Sequence, residues 1–283
     1  MTLTSIKSEL VKASRNGYAI PLIDVIDTQS VEGVVEAASY MQAPTIIGVY
    51  QSLLEQSNAR AFTKYIIQRI SDTTVPISLM LDHGASIDQC LKALDYGFTD
   101  VMYDGSLLQF EENIKNTRRI VESGHAAGAG VEAELGHVGL GKQYASFGGR
   151  GLGFTDPEVV FQFVTETEVD FLAIAFGNAH GLSQSEPRLD YDLLRDVRKR
   201  VDIPLVMHGG TGLLEDQYRQ AIQAGISKIN VATLIINQAT VNIRHKAGEP
   251  GTTVFDFQKE ISQAYRDHCC TYTRPSSRKT GRE

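Results

Sequence analysis

A chain of 283 residues, 42% hydrophobic and 22% charged, has the composition of an ordinary globular protein and is long enough to bury a sizeable core. Its net charge of −7, from 27 basic and 34 acidic residues, argues against nucleic acid or an anionic membrane as a partner. No apolar stretch approaches the roughly 20 residues of a membrane span and the opening residues lack the apolar centre of a secretory signal. Cys90, Cys269 and Cys270 have neither framework nor metal-site spacing, so free thiols in a reducing cytoplasm are expected.

The segment Ser5–Ser14 predicts a helix ahead of the first strand, placed to plug the bottom of a barrel. Eight apolar runs follow: Tyr18–Asp24, Pro44–Tyr50, Pro76–Asp82, Thr99–Tyr103, Gly130–Glu134, Asp170–Phe176, Ile203–Met207 and Ser227–Val231. Most are near-continuously apolar, as expected of strands covered on both faces of a parallel sheet. The helical stretches between them have legible ends. Ser86 can cap a helix carrying Ile87, Leu91 and Leu94, with Gly97 where a closing glycine would sit. Asp156-Pro157 sets a cap before a first-turn proline, and Leu214, Tyr218 and Ile222 form an apolar stripe closed by Gly225.

Strand and helix alternating eight times predict one (β/α)8 barrel domain over residues 1–283, with the extra N-terminal helix and a C-terminal helical extension. A doubly wound open sheet is the weaker reading, because no glycine-rich dinucleotide turn follows the first strand. Thr271–Glu283 is polar, basic and aperiodic, and reads as a frayed end.

Polar residues collect at the C-terminal ends of the runs: Asp24, Tyr50, Asp82, His83, Asp104, Glu132, Glu134, Asn178, His180, His208 and Asn230. In this fold that rim is the active-site face. His83, His180 and His208 each follow an apolar run directly, so the three imidazoles are expected to converge on one metal ion. Three imidazoles with an open fourth position suit a catalytic zinc, although they accept other divalent ions too. His125, His245 and His268 read as surface or core residues, and His137 is left open. Glu132 and Glu134 lie two apart on one strand and point the same way, as orienters of the histidines or accessory ligands. Asp82 diverges from His83 if strand geometry persists, which suits a general acid/base facing substrate.

The loops HGGTG (208–212) and NVAT (230–233) offer backbone N–H groups and the hydroxyls of Thr211 and Thr233 to an anion, as the last two loops of such barrels commonly do. Val138–Gly153, glycine-rich and almost without apolar anchors, reads as a mobile lid or a disordered surface loop.

The motifs LDHG (81–84), VEAELG (131–136), FTDPE (154–158), HG (180–181), HGGTG (208–212) and KINVAT (228–233) resemble, in this order, the class II, zinc-dependent fructose/tagatose-bisphosphate aldolases. The resemblance extends from about Gly17 to Thr233 and is closest to the tagatose-bisphosphate branch. It implies a barrel that forms a homodimer or homotetramer. It further implies zinc on His83, His180 and His208, with Glu132 and Glu134 as an accessory pair, and Asp82 as proton donor and acceptor. Gly181, Gly209, Gly210, Thr211, Asn230, Val231, Ala232 and Thr233 would bind the phosphate of glycerone phosphate, with a monovalent cation close by. The implied reaction is reversible retro-aldol cleavage of a phosphorylated ketose such as a ketose 1,6-bisphosphate. Zinc polarises the carbonyl, Asp82 takes the C4 hydroxyl proton, and the C3–C4 bond breaks to an enediolate and an aldehyde.

Four departures from the family pattern bear on substrate. LIDVID (22–27) stands where AFNVNN is usual, which puts Asp24 in place of an asparagine. Tyr50 replaces a serine. Ser183-Gln184 replaces Tyr-Lys after Leu182, and the lost cation is worth about 1–3 kcal/mol to a bound phosphate. Val138–Gly153 carries no acid, only Lys142, Tyr144 and Arg150. Asp24, Tyr50 and Gln184 are therefore candidates for the substrate pocket. The missing loop acid lends some support to an alternative activity, a ketose or ketose-phosphate epimerase on the same scaffold. A non-catalytic binder is disfavoured by Asp82, for which it would have no use.

Overall fold

In the computed structural model, which describes residues 3–139, 153–181 and 187–273, the apolar runs are eight parallel strands. In chain order the elements are α1 (Lys7–Asn16), β1 (Ile20–Asp24), α2 (Thr28–Met41), β2 (Thr45–Tyr50), α3 (Gln51–Leu54), α4 (Ala59–Ser71), β3 (Ile77–Gly84) and α5 (Ile87–Tyr96). Then follow β4 (Asp100–Tyr103), α6 (Phe110–Ala126), β5 (Gly130–Leu135), α7 (Pro157–Thr167), β6 (Phe171–Ile174) and α8 (Tyr191–Arg200). The chain continues through β7 (Leu205–Met207), α9 (Glu215–Ala224), β8 (Ile226–Val231), α10 (Thr233–Ala247) and α11 (Val254–Thr273). The strands pair in sequence order and β8 returns to β1, with Ile20 opposite Lys228 and Leu22 opposite Asn230, so the barrel is closed. Closure leaves no sheet edge, and the helices cover the outer face.

The helix ends follow the local chemistry that predicts them. Ser86 accepts the Gln89 N–H at 3.2 Å and Gly97 closes α5 at φ +98°, a left-handed conformation that glycine adopts without strain. Asp156 accepts the Glu158 N–H ahead of Pro157, and Gly225 closes α9.

Two boundaries differ from the sequence reading. The N-terminal helix is Lys7–Asn16 and not Ser5–Ser14, because Ser5 and Ile6 are committed to Asp100 on β4. Ser5 Oγ donates to Asp100 Oδ1 at 2.6 Å and the Ile6 N–H donates to Oδ2 at 3.2 Å. At the other end, Thr271–Thr273 form the last turn of α11 instead of starting a frayed tail. Tyr272 is held there against Tyr218 of α9, ring centroids 5.8 Å apart. Residues 274–283 lie outside the described residues.

The barrel interior is layered. Leu22, Ile46, Met80, Met102, Phe171, Ala173 and Val206 fill its lower part, and Ile6, which precedes α1, packs beneath them with Leu10 and Ala13 of α1. The N-terminal helix is thus the expected plug. Above the apolar layer, the inward positions turn polar and buried: Asp24, Asp82, Glu132, Glu134, His208, Lys228 and Asn230. Charge buried inside a barrel is costly unless it is paired or put to use.

Candidate metal and active site

His83 ends β3, His180 follows β6 and His208 follows β7, and their rings meet over the polar layer. Ring centroids are 4.5 Å apart for His83 and His208, 4.8 Å for His83 and His180, and 5.8 Å for His180 and His208. One ring nitrogen of each lies within 4.8 Å of the others. His83 Nδ1 is 2.8 Å from Asp104 Oδ2, and His208 Nε2 is 2.8 Å from Glu132 Oε1. If each of those nitrogens carries its proton toward the carboxylate, the remaining nitrogens, His83 Nε2 and His208 Nδ1, present lone pairs to each other at 2.7 Å. Two facing lone pairs require a cation between them. The donor set, and the carboxylate behind two of the three imidazoles, fit a divalent ion such as zinc.

Burial and neighbouring carboxylates act differently on the three imidazoles. Burial lowers the pKa of His83, but Asp82, Asp104 and Glu134 more than reverse this and carry it to about 10. Burial and the His83 charge take His180 down to about 4, and burial also lowers His208. The cluster accordingly stabilises one positive charge against the ring of His83.

The backbone at His83 has φ +53°, in the left-handed region, and the β3–β4 register shifts between Leu81 and Gly84. The strand geometry therefore does not persist through His83, and with it goes the condition on which the expected divergence of Asp82 and His83 rested. Asp82 Oδ1 accepts the Asn230 Nδ2–H at 2.7 Å. Ser86 caps α5, so Asp82 is not needed as a cap.

The two glutamates of β5 separate in role. Glu132 faces His208 and the ammonium of Lys228, which stands 2.9 Å from Oε2 and 3.2 Å from Oε1. Burial raises its pKa and Lys228 opposes the rise. Glu134 Oε1 accepts the Val138 N–H at 2.9 Å, while Oε2 is buried without a hydrogen-bond partner among the described residues. Burial, aided by Asp104, raises Glu134 to about 8. Glu134, Asp104 and His83 form a second cluster whose ligand atoms lie within 4.8 Å of one another, and Glu132 is not part of it. Burial would raise Asp104, yet its hydrogen bond to His83 and those from Ser106 hold it well below the usual carboxylate range. Ser106 Oγ lies 2.7 Å from Asp104 Oδ1 and 3.1 Å from His137 Nδ1, which places His137 two hydrogen bonds behind Asp104.

The anion loops lie at the same rim. Gly209 has φ +65°, and a Cβ there would overlap the Ala179 carbonyl, so only glycine fits. The Gly210 N–H donates to Asn230 O at 3.2 Å and the Tyr218 hydroxyl donates to Gly210 O, which ties HGGTG to both β8 and α9. Asn178 Nδ2 donates to His208 O at 2.9 Å and fixes the start of that loop. Thr211 is buried, and Thr233 opens α10 directly above β8, with Val231 and Ala232 leading into it. Gly181, φ +80°, follows His180. A helix N-terminus and glycine-rich turns at one rim suit a phosphate group.

Asp24, on β1, is buried with Oδ1 unpartnered among the described residues, and burial and Asp82 push its pKa well up. Tyr50 is 43% exposed and its ring lies 6.2 Å from that of His83. Gln184 and most of the Val138–Gly153 lid lie outside the described residues. The sequence reading missed Lys228 as a site residue. Lys228 and Asn230 are two apart on one strand, which puts them on one face, but the partner that gives the lysine its role, Glu132, is 96 residues away.

The profile of the family "Fructose-bisphosphate aldolase class-II" matches residues 4–277. The fructose-bisphosphate aldolase of Geobacillus stearothermophilus is 37% identical over 236 residues, 82% of each chain. The sulfofructosephosphate aldolase of Alkalicoccus urumqiensis is 34% identical over 233 residues, 82% of this chain and 81% of that one. The crystal structure of the YdjI aldolase from Escherichia coli K12 superposes with a TM-score of 0.85 at 31% identity, covering 95% of both chains.

Proposed function

The chain belongs to the class II fructose-bisphosphate aldolase family, metal-dependent lyases that cleave phosphorylated ketoses, and we propose that His83, His180 and His208 hold its ion while Asp82 moves the proton. The observation that carries this assignment is the pair of imidazoles facing each other at 2.7 Å, each backed by a carboxylate. A divalent ion held there, zinc by the all-imidazole donor set, supplies Lewis acidity to the ketose carbonyl.

The remaining steps belong to the chain's own groups. Asp82 takes the C4 hydroxyl proton as the C3–C4 bond breaks and its electron pair passes to the enediolate. The enediolate takes a proton from water at C3 to leave as glycerone phosphate, Asp82 gives its proton to water, and condensation runs these transfers in reverse. Asn230 fixes the accepting oxygen of Asp82 through its 2.7 Å hydrogen bond. Asp104 and Glu132 lock the ring orientations of His83 and His208. Gly181, the 208–212 loop and the Asn230–Thr233 segment receive the phosphate of the glycerone phosphate half, with a monovalent cation beside it. Asp24 and Tyr50 face the substrate, and Gln184 is a further candidate for its pocket. Glu134, which clusters with His83 and Asp104, is the stronger accessory ligand, and Glu132, held by His208 and Lys228, serves as an orienter.

The substrate class is a ketose phosphate of the kind named for the relatives, fructose bisphosphate or sulfofructose phosphate. Aldolase relatives favour cleavage over the epimerase alternative. The working form is a homodimer or homotetramer in the cytoplasm. Among the described residues no helix is long and apolar enough to cross a membrane.

The test is a cleavage assay on fructose and tagatose 1,6-bisphosphates and their monophosphates, with products identified by NMR. Glycerone phosphate released, abolished by chelator and restored by zinc, is the expected result. A new ketose appearing without fragments overturns the reading in favour of the epimerase.

A further inference from the structure

We propose that Lys228 is a positioning residue whose single buried charge sets both the tautomer of His208 and the acceptor state of Asp82, an inference that rests on the roles given to those two residues above. Lys228 is fully buried on the inner face of β8, one layer below the rim. Five residues form one continuous chain across the barrel. His208 Nε2 meets Glu132 Oε1 at 2.8 Å, Glu132 meets the Lys228 ammonium at 2.9 Å, that ammonium donates to Asn230 Oδ1 at 2.8 Å, and Asn230 Nδ2 donates to Asp82 Oδ1 at 2.7 Å.

The chemistry of the donors fixes the direction of every link. An ammonium can only donate. On the Asn230 side it claims the carboxamide oxygen, so the NH2 end is the one presented to Asp82, and the Asp82 oxygen it meets must accept. On the Glu132 side it donates to the carboxyl, 2.9 Å from Oε2 and 3.2 Å from Oε1, so Oε1 is held as an acceptor and His208 must donate through Nε2–H. The lone pair of His208 Nδ1 is then turned toward His83 and the ion position. A neutral side chain at 228 removes both constraints. The Asn230 amide is free to turn over, and the Glu132 carboxyl is no longer held with Oε1 facing His208, so the ring is free to present its lone pair at the wrong nitrogen.

Removing the charge alone leaves Glu132 buried without its counter-ion, so Lys228→Met is paired with the charge-neutral double variant Lys228→Met/Glu132→Gln. Zinc affinity is read by competition with a chromophoric chelator, next to kcat, KM and Tm. The expected result in every variant that folds is a 10–100-fold loss of zinc affinity and a matching fall in kcat with KM for the ketose phosphate little changed. Either variant binding zinc and turning over within about twofold of the wild type overturns the proposal, as does a loss confined to Tm. A third reading needs no variant: long-range 1H–15N spectra of the wild-type chain, with zinc and without, are expected to show His208 protonated at Nε2. Protonation at Nδ1 overturns the proposal even if neither variant folds. A wild-type chain that binds no zinc sinks the ion assignment instead, and leaves Lys228 to be judged on the metal-free tautomer.

Discussion

Gly48 provides the space that Asp24 occupies: a Cβ at residue 48 would overlap Asp24 Oδ1. Because β2 lies between β1 and β3, the bare backbone at Gly48 lets the Asp24 carboxyl lean across toward Asp82, which contributes to its raised pKa. Two carboxyls so placed oppose any further negative charge brought beside them. Asp24→Asn keeps the shape and fixes the uncharged state that the raised pKa favours. It is expected to leave KM for ketose bisphosphates unchanged at low pH and to lower it by roughly tenfold, about 1.4 kcal/mol, only at the higher pH at which wild-type Asp24 ionises. An unchanged KM across the whole pH range for every phosphorylated ketose tried would show that Asp24 does not face the substrate.

Asp82 and His208 separate catalysis from metal binding. Asp82→Ala leaves the three imidazoles and is expected to retain zinc while kcat falls by roughly 100- to 10,000-fold. His208→Ala is expected to lose both. Metal content by atomic absorption, set beside steady-state rates, decides the matter, and full turnover in Asp82→Ala sinks the assignment.

Asp104 holds the ring of His83 from behind at 2.8 Å and is itself steadied by Ser106. Asp104→Asn removes the charge with little change of shape, and zinc affinity is expected to drop by roughly 10–100-fold. Chelator competition at constant pH measures this. Wild-type affinity would mean that the orientation of His83 is set by packing alone.

Asp100 lies at the opposite end of the barrel, buried beneath α1 and bonded to Ser5, Ile6, Ser78 and Thr99. Burial raises its pKa from the ordinary 3.8 to about 7, against the lowering effect of those hydrogen bonds. The folded chain therefore binds a proton that the unfolded chain releases between these two values. The resulting stability is complete below pH 3.8 and is lost as pH rises to about 7. Comparing Tm against pH for the wild type and Asp100→Asn, the variant is expected to lack this decline between pH 4 and 7. Parallel curves would place Asp100 as an ionised residue throughout.

The barrel was legible because near-continuous apolar runs and capped helices repeat eight times, and because Ser86, Asp156 and Gly225 end their helices by local chemistry alone. The histidines were legible because each closes such a run. Lys228 was not read as a site residue, since a lysine in a buried strand gains its meaning only from Glu132, 96 residues earlier in the chain. Nor does the pattern of β3 reveal the left-handed backbone at His83, which breaks the alternation on which the reading of Asp82 relied. Gly48 looked like one more apolar position, and the carboxyl that fills its place belongs to another strand. Each of these depends on a partner distant in sequence.

The apolar layer and α1 together make the barrel a blind well. With its floor packed by Phe171, Met80 and the side chains of α1, the described residues leave the upper mouth as the way in. Ketose, both fragments, the ion and any chelator share that one doorway. A molecule seated over the histidines therefore shields the ion beneath it, so a slowly turning substrate analogue should delay metal stripping by the fraction of time it spends bound.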